Sequence, residues 1–372
     1  LEFRRVLFRS ATVKSFGKGK MFLSQPLEQI TDHINLISDS SFMPKPEEGA
    51  LRYIHRRTAS EDLYFIANQT DEAVTIDTQF RVTGKTPELW DPATGQRWDA
   101  SSFGVNEATT TVPLTLAPRG SIFVVFRKPL PEQWITSVQG EDIVSLNGMV
   151  LATQPGEVTT HYSDGTKQTF QVGVPSEALE VTGPWQVKFL DGRGAPTEIT
   201  FDALRSWTEH SDKNIRYYSG ITEYKTTIDL SKNTVQSDER CILSLGRVHD
   251  IAQVSVNGSS PEIIWKAPFQ IDVTDYLKSG ENAITIQVAN RWINRLIGDE
   301  QFPADCAYRE NASKFTNNGI LAFPEWLTDP EIVKKRQRYT FTTWRHYFAD
   351  SPLVPSGLLG PVKLVIYKRV YK

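Results

Sequence analysis

Asp299 and Glu300 stand side by side in the segment Asn294-Arg295-Leu296-Ile297-Gly298-Asp299-Glu300-Gln301. Hydrolysis of a glycosidic bond needs two carboxyl groups, set about 5 to 9.5 Å apart across the bond. In an extended stretch, adjacent residues point opposite ways, so these two would not face each other. Arg295 is a ready ionic partner, and a salt bridge within a loop accounts for the acids better than catalysis does. His55, in Leu51-Arg52-Tyr53-Ile54-His55, could act as a base, but no Ser or Cys nucleophile in motif context accompanies it. It reads as a satisfied sandwich residue, with Arg56 pairing an acidic neighbour. Trp265, Trp292 and Trp326 carry flat rings that could meet pyranose C–H faces or pack beneath a loop. The candidate substrate contacts are therefore Trp265, Trp292, Arg295, Asp299 and Glu300. No catalytic residue and no metal ligand is assigned. The stretch Ser15-Phe16-Gly17-Lys18-Gly19-Lys20 fails as a phosphate loop, because Met21 stands where that motif needs Ser or Thr.

The elements that must position these residues read as strands. Ala252-Val254-Val256, Phe269-Ile271-Val273 and Ile284-Ile286-Val288 alternate with a period of two, the mark of half-buried β-structure. Asn257-Gly258 supplies a tight turn. Thr274 is placed to cap a short helical turn through Tyr276 and Leu277, which Gly280 can end. Earlier, Leu63-Tyr64-Phe65-Ile66 is a buried run, while Val74, Ile76, Phe80 and Val82 share a face. Short strands between turn signals fit an antiparallel sandwich. Thr159–His161 and Thr169–Gln171 flank the hairpin signal Ser163-Asp164-Gly165. The last strands are expected at Tyr339–Thr343 and Pro361–Tyr367.

Composition bounds the function. The chain has 372 residues, 41 basic against 44 acidic, and a net charge of −3, so no large basic field is available for nucleic acid or an anionic membrane. The run Lys334-Lys335-Arg336-Gln337-Arg338 reads as a solvated loop. No apolar run approaches the ~18 residues of a membrane span. Two cysteines, Cys241 and Cys306, do not make a disulfide framework, and neither has neighbours at metal-ligand spacing. Cys241 opens an apolar strand and reads as core. Asn68, Asn257 and Asn311 begin N-x-[ST] sequons, which matter only in a eukaryotic secretory setting.

The organisation expected is mostly β. Residues 1–10 resemble the in-frame translation of a short-read sequencing adapter and are set aside as an artefact of environmental sequencing. Residues 11–45 hold one short helix, with Leu27, Ile30, Ile34 and Ile37 on one face and Ser24 and Pro26 suited to its first turn. They are expected to be the tail of a preceding α/β domain, since one short helix cannot bury that face alone. Residues 46–128 form a β-sandwich, 129–180 a β-rich connector, and 181–372 a galactose-binding-like jelly roll interrupted by an insert at 291–337. Loops that long are often functional.

Several segments together resemble the C-terminal part of glycoside hydrolase family 106, the α-L-rhamnosidases. They include Tyr53-Ile54-His55-Arg56, Gly183-Pro184-Trp185, Tyr218-Ser219-Gly220, Val254-Ser255-Val256-Asn257-Gly258, Asn294 through Gln301, Arg338-Tyr339-Thr340-Phe341 and Ser356-Gly357-Leu358-Leu359-Gly360-Pro361-Val362. The jelly-roll pieces are shared with family 2 glycosidases. The resemblance implies an inverting hydrolase of terminal rhamnose in plant or microbial polysaccharides, whose catalytic carboxylates lie on a (β/α)₈ barrel preceding this region. It implies carbohydrate and the chain's own catalytic domain as partners, a periplasmic or secreted setting, and a signal peptide upstream. No cofactor is implied, and the sequence gives no reading on a structural calcium ion. Two functions follow as expectations: a non-catalytic C-terminal fragment of such a glycosidase, or a free-standing carbohydrate-binding protein.

Overall fold

A computed structural model describes residues 12–23, 25–34, 36–190, 193–231, 235–309 and 319–371. The readings of residues 1–10, Ser24 and Asn311 lie outside them. The chain divides into two compact units. One comprises Leu1–Gly140, Ser145–Met149 and Val158–Thr169; the other comprises Glu141–Val144, Val150–Glu157 and Phe170–Lys372. Both are built from antiparallel sheets, as the strand periodicities require.

The first unit opens with a hairpin, Thr12–Phe16 paired to Gly19–Leu23. Gly17 takes the left-handed conformation at its turn (φ +61°). The Gly-Lys-Gly stretch is thus hairpin chemistry rather than a strand–loop–helix anion cradle. Helix α1 (Leu27–His33) follows, and Leu27, Ile34 and Ile37 are exposed. The sandwich proper stacks a five-stranded sheet, ordered Leu51–Arg57, Asp62–Asn68, Ser121–Pro129, Lys85–Trp90, Arg97–Asp99, on a four-stranded one. Tyr64, Ile66, Ile76, Phe80, Val112 and Phe126 are buried between them.

In the second unit a six-stranded sheet runs Glu198–Phe201, Trp185–Phe189, Ile221–Asp229, Glu281–Ala289, Ile251–Val256, Ser259–Ile264. Its register explains its faces. Val187, Tyr224, Ile286 and Val254 are cross-strand neighbours in one row, and all four are buried. The adjacent row is Lys188, Glu223, Gln287 and Gln253, which faces outward. A one-residue slip would exchange these rows, so burial of the apolar one fixes the pairing. The opposing sheet is built on Val362–Arg369, flanked by Glu239–Ser244 on one side and Leu179–Val181 on the other. Leu243, Leu364 and Ile366 close the core from that side. Cys241 lies in it fully buried, its thiol pushed up to about 12 by burial first and then by Glu239 and Asp272.

The Asn257-Gly258 turn forms as expected, with φ +52° and +84°, the two left-handed positions of a type I′ hairpin. The Asn257 amide also donates to the Tyr276 carbonyl at 2.9 Å. Thr274–Tyr276 is a single 3-10 turn, but Thr274 does not cap it. Its hydroxyl accepts the Cys241 N–H and donates to Asp272 Oδ1. The expected strand Tyr339–Thr343 is absent: that stretch has no strand pairing, because the Tyr339 and Thr340 N–H groups go to a carboxylate instead of to a ladder. The final strand, Val362–Arg369, is present.

Candidate functional site

The segment carrying Asp299 and Glu300 is helical, not extended. Helix α2 spans Ile293–Asp299, with Trp292 at its N-cap and Glu300 at its C-cap. It is unusual in burying its polar residues: Asn294, Arg295 and Asp299 are all buried. Each must therefore be hydrogen-bonded or paired, and each is. Asn294 exchanges bonds with the Val354 backbone in both directions (2.7 and 2.9 Å) and donates to Ser356 Oγ at 2.8 Å. Gly298 leaves room for the Tyr217 side chain, since a Cβ would lie 2.5 Å from Tyr217 Cβ and 2.7 Å from its ring carbon Cγ.

The two acids act as braces. Asp299 Oδ2 accepts from the Tyr339 N–H at 2.9 Å, the Thr340 N–H at 2.6 Å and the Thr340 hydroxyl at 2.6 Å. Its Oδ1 lies 3.0 Å from Arg295 Nε, both side chains 3% exposed. That contact lacks hydrogen-bond alignment, so the two meet as a buried ion pair. Glu300 receives Arg338 on Oε1 at 2.7 Å and Arg345 on Oε2 at 2.5 Å. Both oxygens of each acid are thus engaged by their own chain. The salt-bridge reading of Arg295 holds, although on a helix rather than in a loop. A small polar pocket beside them, lined in part by Glu300, Tyr308, Arg338 and His346, has about 20 Å³ of space, room for about one water.

The basic run beyond this helix is only partly solvated. Lys334 is exposed, but Arg336 is 11% and Arg338 8% exposed at the side chain. Arg336 pairs with Asp305 at 2.7 Å and stacks 3.5 Å over the Trp326 ring. Trp326 is buried, and its indole N–H donates to the Asp305 carbonyl. It packs the interior of the insert and is not a platform.

The other two tryptophans are surface groups. Trp265 is 55% exposed. It follows Ile264, which pairs with Ala252, just past the end of that strand. Ile251, Ala289 and Ile221 form one outward row, with Ile221 and Ile251 themselves exposed. Trp292 is 49% exposed, with the Arg193 guanidinium 4.5 Å from its ring centroid. Among the five sequence candidates, α2 brings Trp292, Arg295, Asp299 and Glu300 together. Trp265 lies on a different element, at the end of Ser259–Ile264. Sequence reasoning missed Arg193, Arg338 and Arg345 as partners, since they lie far from α2 along the chain.

In the first unit His55 is satisfied on both nitrogens, by Asp39 at 2.9 Å and Asp62 at 3.2 Å, and stacks on Tyr64. Arg57, not Arg56, reaches Asp62. Lys85 and Arg81 complete the cluster. Among the described residues, the His55 ring nitrogens bond to the Asp39 and Asp62 carboxylates alone.

A family model described as alpha-L-rhamnosidase, of glycoside hydrolase family 106, matches residues 2–103. A solved rhamnosidase from Novosphingobium sp. PP1Y is 32% identical, superposes with a TM-score of 0.69, and is matched over 96% of this chain and 27% of its own. The chain is similar to α-L-rhamnosidases. A curated protein of Formosa agariphila, provisionally named a beta-glucuronidase, is 33% identical over 275 residues, which is 68% of this chain and 22% of that protein. This chain thus spans about a quarter of the length of the relatives it matches.

The segments that carry the rhamnosidase resemblance prove to be joints of the fold. Ser356 Oγ ties Asn290 to Asn294. Gly357 has φ +98°, and a Cβ there would collide with the Trp207 indole and lie 2.8 Å from the Tyr224 hydroxyl. Trp207 Nε1 in turn donates to that hydroxyl, which also accepts the Leu358 N–H. Asn294 through Glu300 does the same work at the insert.

Proposed function

We propose that this chain is the non-catalytic C-terminal region of a glycoside hydrolase of the α-L-rhamnosidase kind, which acts on rhamnose-containing polysaccharides outside the cytoplasm. In this reading the carboxylates that cleave the bond belong to a (β/α)₈ domain of the same polypeptide. The observation that carries it is the state of Asp299 and Glu300. The best acid pair in the sequence is consumed by Arg295, Arg338, Arg345 and the Tyr339–Thr340 backbone. A general acid or base must reach the reacting group, and neither oxygen pair is left to do so. Among the described residues the architecture is antiparallel, without the successive strand–helix units on which barrel active sites are built. No described helix is long and apolar enough to cross a membrane.

The test is direct. Purified residues 11–372, incubated with an aryl α-L-rhamnoside, are expected to release no chromophore above a buffer control. Turnover that co-purifies with the protein overturns the reading. A second reading, a free-standing carbohydrate-binding protein, is favoured by one observation, the exposure of Trp265 at the end of Ser259–Ile264.

A further inference from the structure

Helix α2 anchors two exposed aromatic rings. Trp292 is its N-cap, and its carbonyl accepts the Leu296 N–H at 3.0 Å. Tyr339, 45% exposed, is fastened at the other end of the helix through its backbone N–H on Asp299 Oδ2. Each ring has a guanidinium over it: Arg193 at 4.5 Å from the Trp292 centroid and Arg295 at 5.0 Å from that of Tyr339. Both rings also meet the same short loop. Arg193 lies over Trp292, and the next residue, Gly194, packs so closely on the Tyr339 hydroxyl that a Cβ would stand 2.7 Å from it. Gly194 has φ +87°, which that approach requires. Two half-exposed rings therefore contact successive residues of one Arg-Gly step, whose Cα atoms are about 3.8 Å apart.

The surroundings are cross-linked by hydrogen bonds. Arg193 is itself fixed, its Nη1 donating to the Ser219 carbonyl at 2.8 Å. A guanidinium has five N–H donors, and among the described residues one of them is used, on Ser219. Ser219 also receives the Arg295 N–H on its hydroxyl, which ties loop and helix into one frame. Pre-organised aromatic surface with fixed donors lowers the ordering cost of binding, and aromatic rings and Arg are the side chains that dominate binding energy at recognition surfaces.

We propose that Trp292, Arg193 and Tyr339 form a saccharide-binding site that stacks pyranosyl units on the two rings and hydrogen-bonds their hydroxyls through Arg193. In this arrangement Asp299 and Arg295 are positioning residues that set Tyr339, rather than contacts to sugar. The choice of a saccharide rests on the proposed function above; the location of the site does not.

The experiment is calorimetric titration of residues 11–372 with methyl α-L-rhamnopyranoside and with rhamnogalacturonan oligosaccharides, using cellohexaose as comparison. The wild-type chain is expected to bind the rhamnose-containing oligosaccharides. Trp292→Ala, Arg193→Gln and Tyr339→Ala should each weaken binding at least tenfold. Thermal melts establish that each variant is folded. Trp265→Ala should bind as wild type does. Should Trp265→Ala abolish binding while Trp292→Ala and Arg193→Gln leave it intact, the site is wrong though the carbohydrate role survives. Absence of wild-type binding at millimolar ligand overturns the site as well, while the glycosidase reading is judged separately by the turnover assay.

Discussion

Replacing Asp299 by Ala tests whether this acid is a brace or a catalyst. The side chain is 3% exposed and faces an Arg295 side chain equally buried. Its removal takes three hydrogen bonds from the Tyr339 and Thr340 backbone and the Thr340 hydroxyl. It also strands a buried guanidinium. Hydrogen bonds to a charged group contribute about 1.5–3 kcal/mol each, but they share one acceptor and do not add. Breaking one partner out of a buried ion pair costs about 3–5 kcal/mol, and that figure is the expected loss for the site as a whole. Asp299→Asn keeps an acceptor without the charge and should lose less, about 1–3 kcal/mol. Guanidinium unfolding reads the global loss. Amide hydrogen exchange at Tyr339 and Thr340 reads the local one, with protection expected to fall about 100-fold or more in Asp299→Ala. A stability within about 0.5 kcal/mol of wild type, the level of an ordinary surface change, together with unaltered protection at those two amides, would refute the brace.

Glu239 should make the second unit acid-sensitive. Burial pushes its carboxyl up, but the Gln236 and Ser176 N–H groups, the Ser176 hydroxyl and Lys368 outweigh this and hold it below the ordinary 4.5. A depressed native pKa means that the unfolded chain binds the proton more readily. The stabilisation is therefore complete above 4.5 and lost as pH falls through the native value. Glu239→Gln should flatten the acid limb of stability against pH; an unchanged slope below 4.5 counts against the assignment. The tryptophans should separate by role. Trp326→Ala, which empties a buried site under Arg336 and Phe341, should cost about 3–5 kcal/mol. Trp265→Ala, at 55% exposure, should stay within about 0.5 kcal/mol. Equal losses in denaturant unfolding would show that Trp265 is a core residue.

The sequence alone determined the sheets and their faces. Ala252-Val254-Val256 and Ile284-Ile286-Val288 alternate, and the structure buries all six. Asn257-Gly258 turns as its residue types dictate, with both residues left-handed. Such features are legible because period-two burial and turn conformation are local, set by side chains a few residues apart. The insert was not legible for the opposite reason. Asn294, Arg295 and Asp299 look like loop residues, yet they are the buried face of α2. Their partners are Val354, Ser356, Tyr339 and Thr340, some 40 to 60 positions away along the chain. Polar residues can be buried only where such distant groups satisfy them, and no local pattern announces that satisfaction. The same holds for the strand expected at Tyr339–Thr343, whose donors the tertiary fold assigns to Asp299. The sequence placed Asp299 and Glu300 next to each other and made them the candidate pair. Only the fold, by supplying Arg338 and Arg345 to one and two backbone amides to the other, decided that their charge holds the insert together.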